Sequence, residues 1–254
     1  MSIINYKKIT DFMLEAGERL KTKAGSVTDI GVAKRYLTEE DLAIERGLKE
    51  LVGEFGSDHV LYAEEENEVF LNSENLWVVD PISSTRSFIQ GQPHYAIVVC
   101  YVKNHIPEFA AVYDPSVSEL FTAEKGHGAR LNGEPIFVST GREKVIFRYS
   151  TEWKEMEVLE KSRAVLKEFD LIENFHSLAV NYASVACGRA DGVVTLTKDS
   201  FPEFAGSLII CEAGGNFTNL AGQEIFRPTD RVFIGGNTLI YPEIFKRIIY
   251  AHKQ

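Results

Sequence analysis

Apolar residues recur at helical spacing from the start of the chain. Tyr6, Ile9, Met13, Ala16 and Leu20 have charged residues between them, so the first twenty residues or so are expected to form an amphipathic helix. After a loop-like Gly25–Ile30, the stretch "LTEEDLAIERGLKELVGEF" opens on Thr38 with Asp41 three residues later, the pattern of a capping box. Ile44, Leu48, Leu51 and Phe55 then line one helical face. The period changes to that of strands in "HVLYAEEE", "LWVVDP", "YAIVVCYV", "EFAAVYDP" and "ELFTAEKG", with "DPSVS" as the turn joining the last two. "GHGARLNGEPI" reads as a further hairpin, because its glycines do not follow a strand and open a helix as a dinucleotide fingerprint requires.

Around Ser139–Lys144 the pattern shifts again. "KVIFRYS", a helix from about Glu155 to Phe169, "GVVTLT", a helix around Ala205–Ala213, and "RVFIGGN" before a last helix alternate as in α/β proteins. The expected organisation is an α+β half over residues 1–139 and an α/β half over 140–254, together one compact unit.

With 254 residues, 44% of them hydrophobic, the chain can bury a substantial core. Its net charge of -10 argues against a general nucleic-acid-binding surface, and an anionic substrate would need a local cation to offset the protein's own field. No segment approaches the length of a membrane span and the N-terminus has no apolar signal core. Cys100, Cys187 and Cys211 are widely separated and never form a C-x-x-C pair, which reads as buried free thiols in a reducing compartment. A cytoplasmic protein is expected.

The chemistry concentrates in "WVVDPISSTRSF", Trp77–Phe88. An apolar strand is expected to stop at Asp80-Pro81, and Ser83, Ser84 and Thr85 then read as the N-terminus of a short helix, which attracts anions. A carboxylate facing such a helix end calls for a cation between them. Glu64, Glu65 and Glu66 end the preceding strand, so two strand ends can deliver acids to one sheet edge. Oxygen ligands of this kind suit Mg²⁺, and the Ile82 carbonyl could add another. His94, after "GQP", reads either as a substrate-facing residue or, as a lone loop histidine more often is, as a structural or exposed one; His59, His105, His127, His176 and His252 show no metal spacing. Nothing resembles a nucleophile elbow.

The stretches "AEEE … WVVDPISSTRSF", "VYDPSVSELFTAEKGHGARLNGEPI" and "AGSLIICEAGG" together resemble the inositol monophosphatase family and its relatives acting on histidinol phosphate and adenosine bisphosphate. The likeness runs through nearly the whole chain in the right order. It implies a layered α/β/α/β/α sandwich, a homodimer, and Mg²⁺-dependent hydrolysis of a small phosphate monoester of inositol phosphate, histidinol phosphate or nucleotide-phosphate type. It further implies that Glu64, Asp80 and the Ile82 carbonyl hold a first metal. Thr85 would orient the attacking water, and Ser83, Ser84 and Thr85 would bind the phosphate. Asp41 corresponds to a family acid near the site.

The departures from the family pattern are specific. Ser83 and Ser84 stand where the family has Asp-Gly, which removes one ligand of a second metal. Counted back from Glu212, Phe201 takes the position of a tryptophan and Pro202 that of an aspartate, so a second ligand of the same ion is missing. Glu203 and Asp199 are the candidate replacements. Thr195 stands where inositol-type members place a glutamate that holds substrate hydroxyls, and "FHSLAVNYASVACGRADG" lacks their small-residue segment before the helix. The competing expectation is a catalytically impaired member that binds a phosphate ligand or a protein.

Overall fold

The computed structural model describes residues 4–32, 36–63, 73–150, 153–174, 176–197, 201–224, 227 and 229–253. Two long helices come first, α1 (Tyr6–Lys23) and α2 (Glu39–Gly53), both on the expected 3–4 spacing. A seven-stranded sheet follows: β1 (His59–Ala63), β2 (Asn75–Ser83), β3 (Ala96–Lys103), β4 (Ile106–Asp114), β5 (Glu119–Glu124), β6 (Ala129–Leu131) and β7 (Glu134–Ile136). A short helix, α3 (Thr85–Ile89), interrupts it. The strands lie in sequence order, with β1 parallel to β2 and every other pair antiparallel.

The second half contains β8 (Lys144–Tyr149), α4 (Met156–Leu166), β9 (Asp170–Glu173), α5 (Leu178–Ala186), β10 (Gly192–Leu196), α6 (Phe201–Glu212), β11 (Asn216–Asn219), β12 (Val232–Gly236) and α7 (Tyr241–Lys253). Its five strands are ordered β11-β12-β10-β8-β9. The short β9 and β11 lie outside the expected pattern, and α6 begins four residues before Ala205.

Alternation along β2 shows how the layers are built. Trp77 and Val79 pack with Ile9, Met13, Ile44 and Leu48 of α1 and α2. Leu76 and Val78 face the other way, onto Tyr182 and Ala183 of α5 and Ile209 of α6. The same middle cluster takes in Ile146, Val193, Phe217 and Phe233 from the second sheet, whose far side (Val145, Phe147, Val194, Ile234) is covered by Leu159 of α4 and Ile244 and Ile248 of α7. The result is the expected helix–sheet–helix–sheet–helix sandwich. Its central pair of helices approach so closely that a Cβ at Gly206 would lie 2.2 Å from a Tyr182 ring carbon.

Two expectations are corrected. Asp80-Pro81 does not end the strand: β2 continues to Ser83, and its register against β3 slips between Asp80 and Ser83. A bulge there leaves Pro81, which has no N–H, without a ladder bond to make. The three cysteines are free, but only Cys100 is fully buried; Cys187 is half-buried and Cys211 exposed, because α6 turns its C-terminal end outward.

The segment between the two halves is fastened by Asp191. Its carboxylate receives the Ser139 hydroxyl and the N–H groups of Glu143 and Lys144, both at 2.9 Å. Burial alone would raise its carboxyl; the bonds from Ser139, Lys144 and Glu143 and the Lys144 charge outweigh it and hold the group below its usual range. A depressed carboxyl stabilises the fold above its unfolded value of about 3.9 and loses that contribution as pH falls through the folded value. Asp191→Asn is therefore expected to lose about 2 kcal/mol at neutral pH. The gap to wild type should close below about pH 4 in denaturant titrations; a pH-independent gap would contradict this origin.

Candidate functional site

The C-terminal ends of β1 and β2 meet the N-termini of α2, α3 and α6 at one end of the first sheet. Thr38 caps α2 through the expected box: the Asp41 N–H reaches Thr38 Oγ1, while Asp41 Oδ2 accepts from the Thr38 N–H at 2.8 Å and from its hydroxyl at 2.5 Å. Asp41 is fully buried, and its other oxygen faces the Thr85 hydroxyl at 3.3 Å. Capping and a place at the site are thus two uses of one carboxylate.

The Thr85 hydroxyl also lies 2.8 Å from the Ile82 carbonyl oxygen. A hydroxyl has one proton and two acceptor lone pairs. At these distances the proton goes to the Ile82 carbonyl; a cation on that carbonyl would turn it to Asp41 and leave a Thr85 lone pair for a water O–H. Asp80 is 5% exposed and sits at the last regular β2–β3 pair before the bulge, opposite Val98. Strand alternation and the bulge therefore deliver Asp80, Ile82 and Thr85 to the same turn. Glu64, Glu65 and Glu66 lie outside the described residues, as does Asp199.

Ser83 is buried and pairs with Ala96. Ser84, the N-cap of α3, has φ +69°, the left-handed region that favours glycine. Its hydroxyl contacts that of Ser87 at 2.8 Å. The helix cap therefore retains a glycine-type conformation with a side chain attached.

At the start of α6, Phe201 stacks on Tyr62 of β1 with ring centroids 4.7 Å apart, tying this helix end to the strand that leads to Glu64. Pro202 falls in the first turn, where an N–H has no helical acceptor to lose. Glu203 is fully buried and its Oε1 accepts the Tyr182 hydroxyl at 2.7 Å; Thr195 Oγ1 lies 2.8 Å from the same hydroxyl. Because Tyr182 has one proton and gives it to the carboxylate, Thr195 is the donor to Tyr182. Glu203 thus has an internal partner on α5, and Thr195 is its second link rather than a solvent-facing group.

A second polar cluster occupies the same sheet end. His94 Nδ1 lies 2.9 Å from Asp114 Oδ2, the His94 N–H donates to Ser116 Oγ, and the His94 carbonyl receives the Ser177 N–H at the head of α5. The ring stacks on His176 at 4.5 Å. Burial, then the neighbouring His94 and Arg148, hold the His176 imidazole below its ordinary value, against the opposing pull of Asp114. Desolvation also lowers the Arg148 guanidinium. Among these residues only His94 stood out in the sequence. Asp114 reads there as the start of a turn and Arg148 as a strand residue; pairing across β3–β4 brings Asp114 to His94.

Comparison with known proteins bears on the family and the fold. Residues 5–252 match the model of the inositol monophosphatase family. A fructose-1,6-bisphosphatase/inositol-1-monophosphatase of Thermotoga maritima is 32% identical over 219 residues, covering 84% of this chain and 82% of its own. The Nus factor SuhB of Escherichia coli K12 is 29% identical over 212 residues, covering 81% and 79%. The solved structure of a Thermotoga maritima IMPase superposes with a TM-score of 0.84 at 29% identity, covering 97% of each chain.

Proposed function

Because this chain belongs to the inositol monophosphatase family, we propose that it is a Mg²⁺-dependent phosphomonoesterase acting on a small phosphorylated metabolite through one well-formed cation position. The observation that carries this reading is the Thr85 hydroxyl set between the Asp41 carboxylate and the Ile82 carbonyl, beside the buried Asp80. These are hard oxygen donors in a compact turn, which fits Mg²⁺.

Glu64, Asp80 and the Ile82 carbonyl would hold the ion, which supplies charge neutralisation at phosphate and a lower pKa for water. With the Ile82 carbonyl on the ion, Thr85 would turn its proton from that carbonyl to Asp41, accept a hydrogen bond from the attacking water and aim its oxygen. The N–H groups of Ser84 and Thr85, at the first turn of α3, grip the phosphate oxygens where charge develops. Ser83 and Pro202 provide no carboxylate for a second ion, and Glu203 already accepts from Tyr182. Calorimetric titration with Mg²⁺ is therefore expected to give a stoichiometry near one; two equivalent sites would contradict the reading and point to Asp199 or Glu203 as the replacement.

The same two positions favour a second reading, in which the protein binds a phosphate ligand or another protein without turnover. A panel of inositol, sugar, histidinol and nucleotide phosphates assayed with Mg²⁺ separates the two. Turnover of at least one ester supports the enzyme. Tight phosphate binding with no turnover supports the binder.

A further inference from the structure

A phosphate ester of an alcohol cannot expel its alkoxide easily, because the alcohol is a very weak acid. Either a cation or a proton must meet the departing oxygen. In this chain Ser83 and Pro202 leave the cation option under-supplied on the leaving-group side, so the surroundings of the turn matter.

The sheet register brings one candidate donor to the same sheet end as this turn. Ser83 pairs with Ala96, and His94 precedes Ala96 by two residues. Ile97 pairs with Tyr113, which brings Asp114 to the row of Ser83 and Ala96. His94 and Asp114 therefore stand at the sheet end from which Ser84 and Thr85 rise into α3.

The arrangement is a built one. His94 has φ +65°, a conformation uncommon for a residue with a side chain. It is held by three bonds: N–H to Ser116, carbonyl from Ser177, and Nδ1 to Asp114. Asp114 is itself fixed, its Oδ1 accepting from the Ser116 N–H and hydroxyl at 2.9 and 2.6 Å. The Asp114 side chain is 1% exposed and that of His94 32%. An ionised carboxylate only accepts, so Nδ1 carries a proton and Nε2 is the nitrogen that exchanges one.

We propose that His94, oriented by Asp114, is the general acid that protonates the leaving oxygen of the substrate, in place of the assistance a second cation would provide. This rests on the phosphatase reading above. Water oxygen forms its bond to phosphorus as the ester P–O bond breaks, and the electron pair stays on the leaving oxygen, which takes the proton from Nε2. One water proton remains on the new phosphate, the other passes to solvent, and Nε2 is reprotonated from solvent.

The groups around the ring are consistent with that duty. Asp114 on β4 faces Nδ1 and His176, ahead of α5, faces the ring plane. The Arg148 charge on β8 also acts on His176. Glu119 of β5, opposite Asp114, is paired with Arg189 at 2.6 Å.

The test compares an alkyl phosphate that the wild-type protein hydrolyses with 4-nitrophenyl phosphate, whose leaving group needs no proton. His94→Asn retains a donor to Asp114 at the place of Nδ1 and removes Nε2. It is expected to fold normally and to lose about thirtyfold or more in kcat on the alkyl ester but less than about threefold on the aryl ester. Equal losses on both esters, or no loss on either, would overturn the acid while leaving the phosphatase reading intact. Failure of the wild type on every ester overturns that reading and the acid with it.

Discussion

Asp80→Asn is expected to remove Mg²⁺-dependent hydrolysis by about a thousandfold or more, a barrier increase of roughly 4 kcal/mol, while the protein stays folded. Asp80 is held by β2 at the last regular pair before the bulge and is almost wholly buried, so an isosteric amide disturbs no packing. What it removes is the one charged ligand that the reading assigns to the ion among the described residues, and Mg²⁺ tolerates that loss poorly. The melting temperature is expected to change far less than the activity, so a melting curve separates loss of the ion from loss of the fold. Glu64→Gln should have the same effect on activity. Persistence of metal-dependent turnover in both variants would remove this turn as the cation position.

The second large effect is a gain. Ser83→Asp together with Pro202→Asp is expected to raise phosphatase activity about tenfold or more, which needs only roughly 1.4 kcal/mol of barrier. Ser83 is the last residue of β2 and Pro202 lies in the first turn of α6, where replacing proline costs the helix no bond it now makes. Each aspartate alone should do little, because a single added charge near Asp80 brings repulsion without completing a coordination shell; the pair should act non-additively. Adding Ser84→Gly should help further, since φ +69° strains serine but not glycine. If the double and triple variants fold, bind a second Mg²⁺ and still turn over nothing, the binding-protein reading is the better one.

What the chain discloses in one dimension is its local patterning. The 3–4 spacing from Tyr6 to Leu20, the Thr38–Asp41 box and the alternation around Trp77 each depend on residues a few positions apart, and each appears as expected. The strands β9 and β11 escape notice because "DLIE" and "NFTN" are four residues long and have no sustained period. Pro81 misleads because proline normally ends a central strand, and only the bulge excuses it. The left-handed turn at Ser84 has no glycine to announce it. Engagement of Glu203 by Tyr182, twenty-one residues away, and of His94 by Asp114, twenty away, depends on tertiary pairing that spacing does not encode.

The hydrogen-bonded chain from Thr195 through Tyr182 to Glu203 bears on descent as well as on packing. Its three members answer one another inside a closed layer, so each constrains what the others can become. Replacing any one of them is therefore not an independent step. Each lone replacement strands a buried hydroxyl or carboxylate with one bond fewer, at a cost of about 1–3 kcal/mol, a large share of the margin by which a protein of ordinary stability remains folded. The present residues are thus entrenched. A longer acid introduced at position 195 would therefore be tolerated only together with a change at Tyr182 or Glu203, which makes the three positions a single unit of substitution.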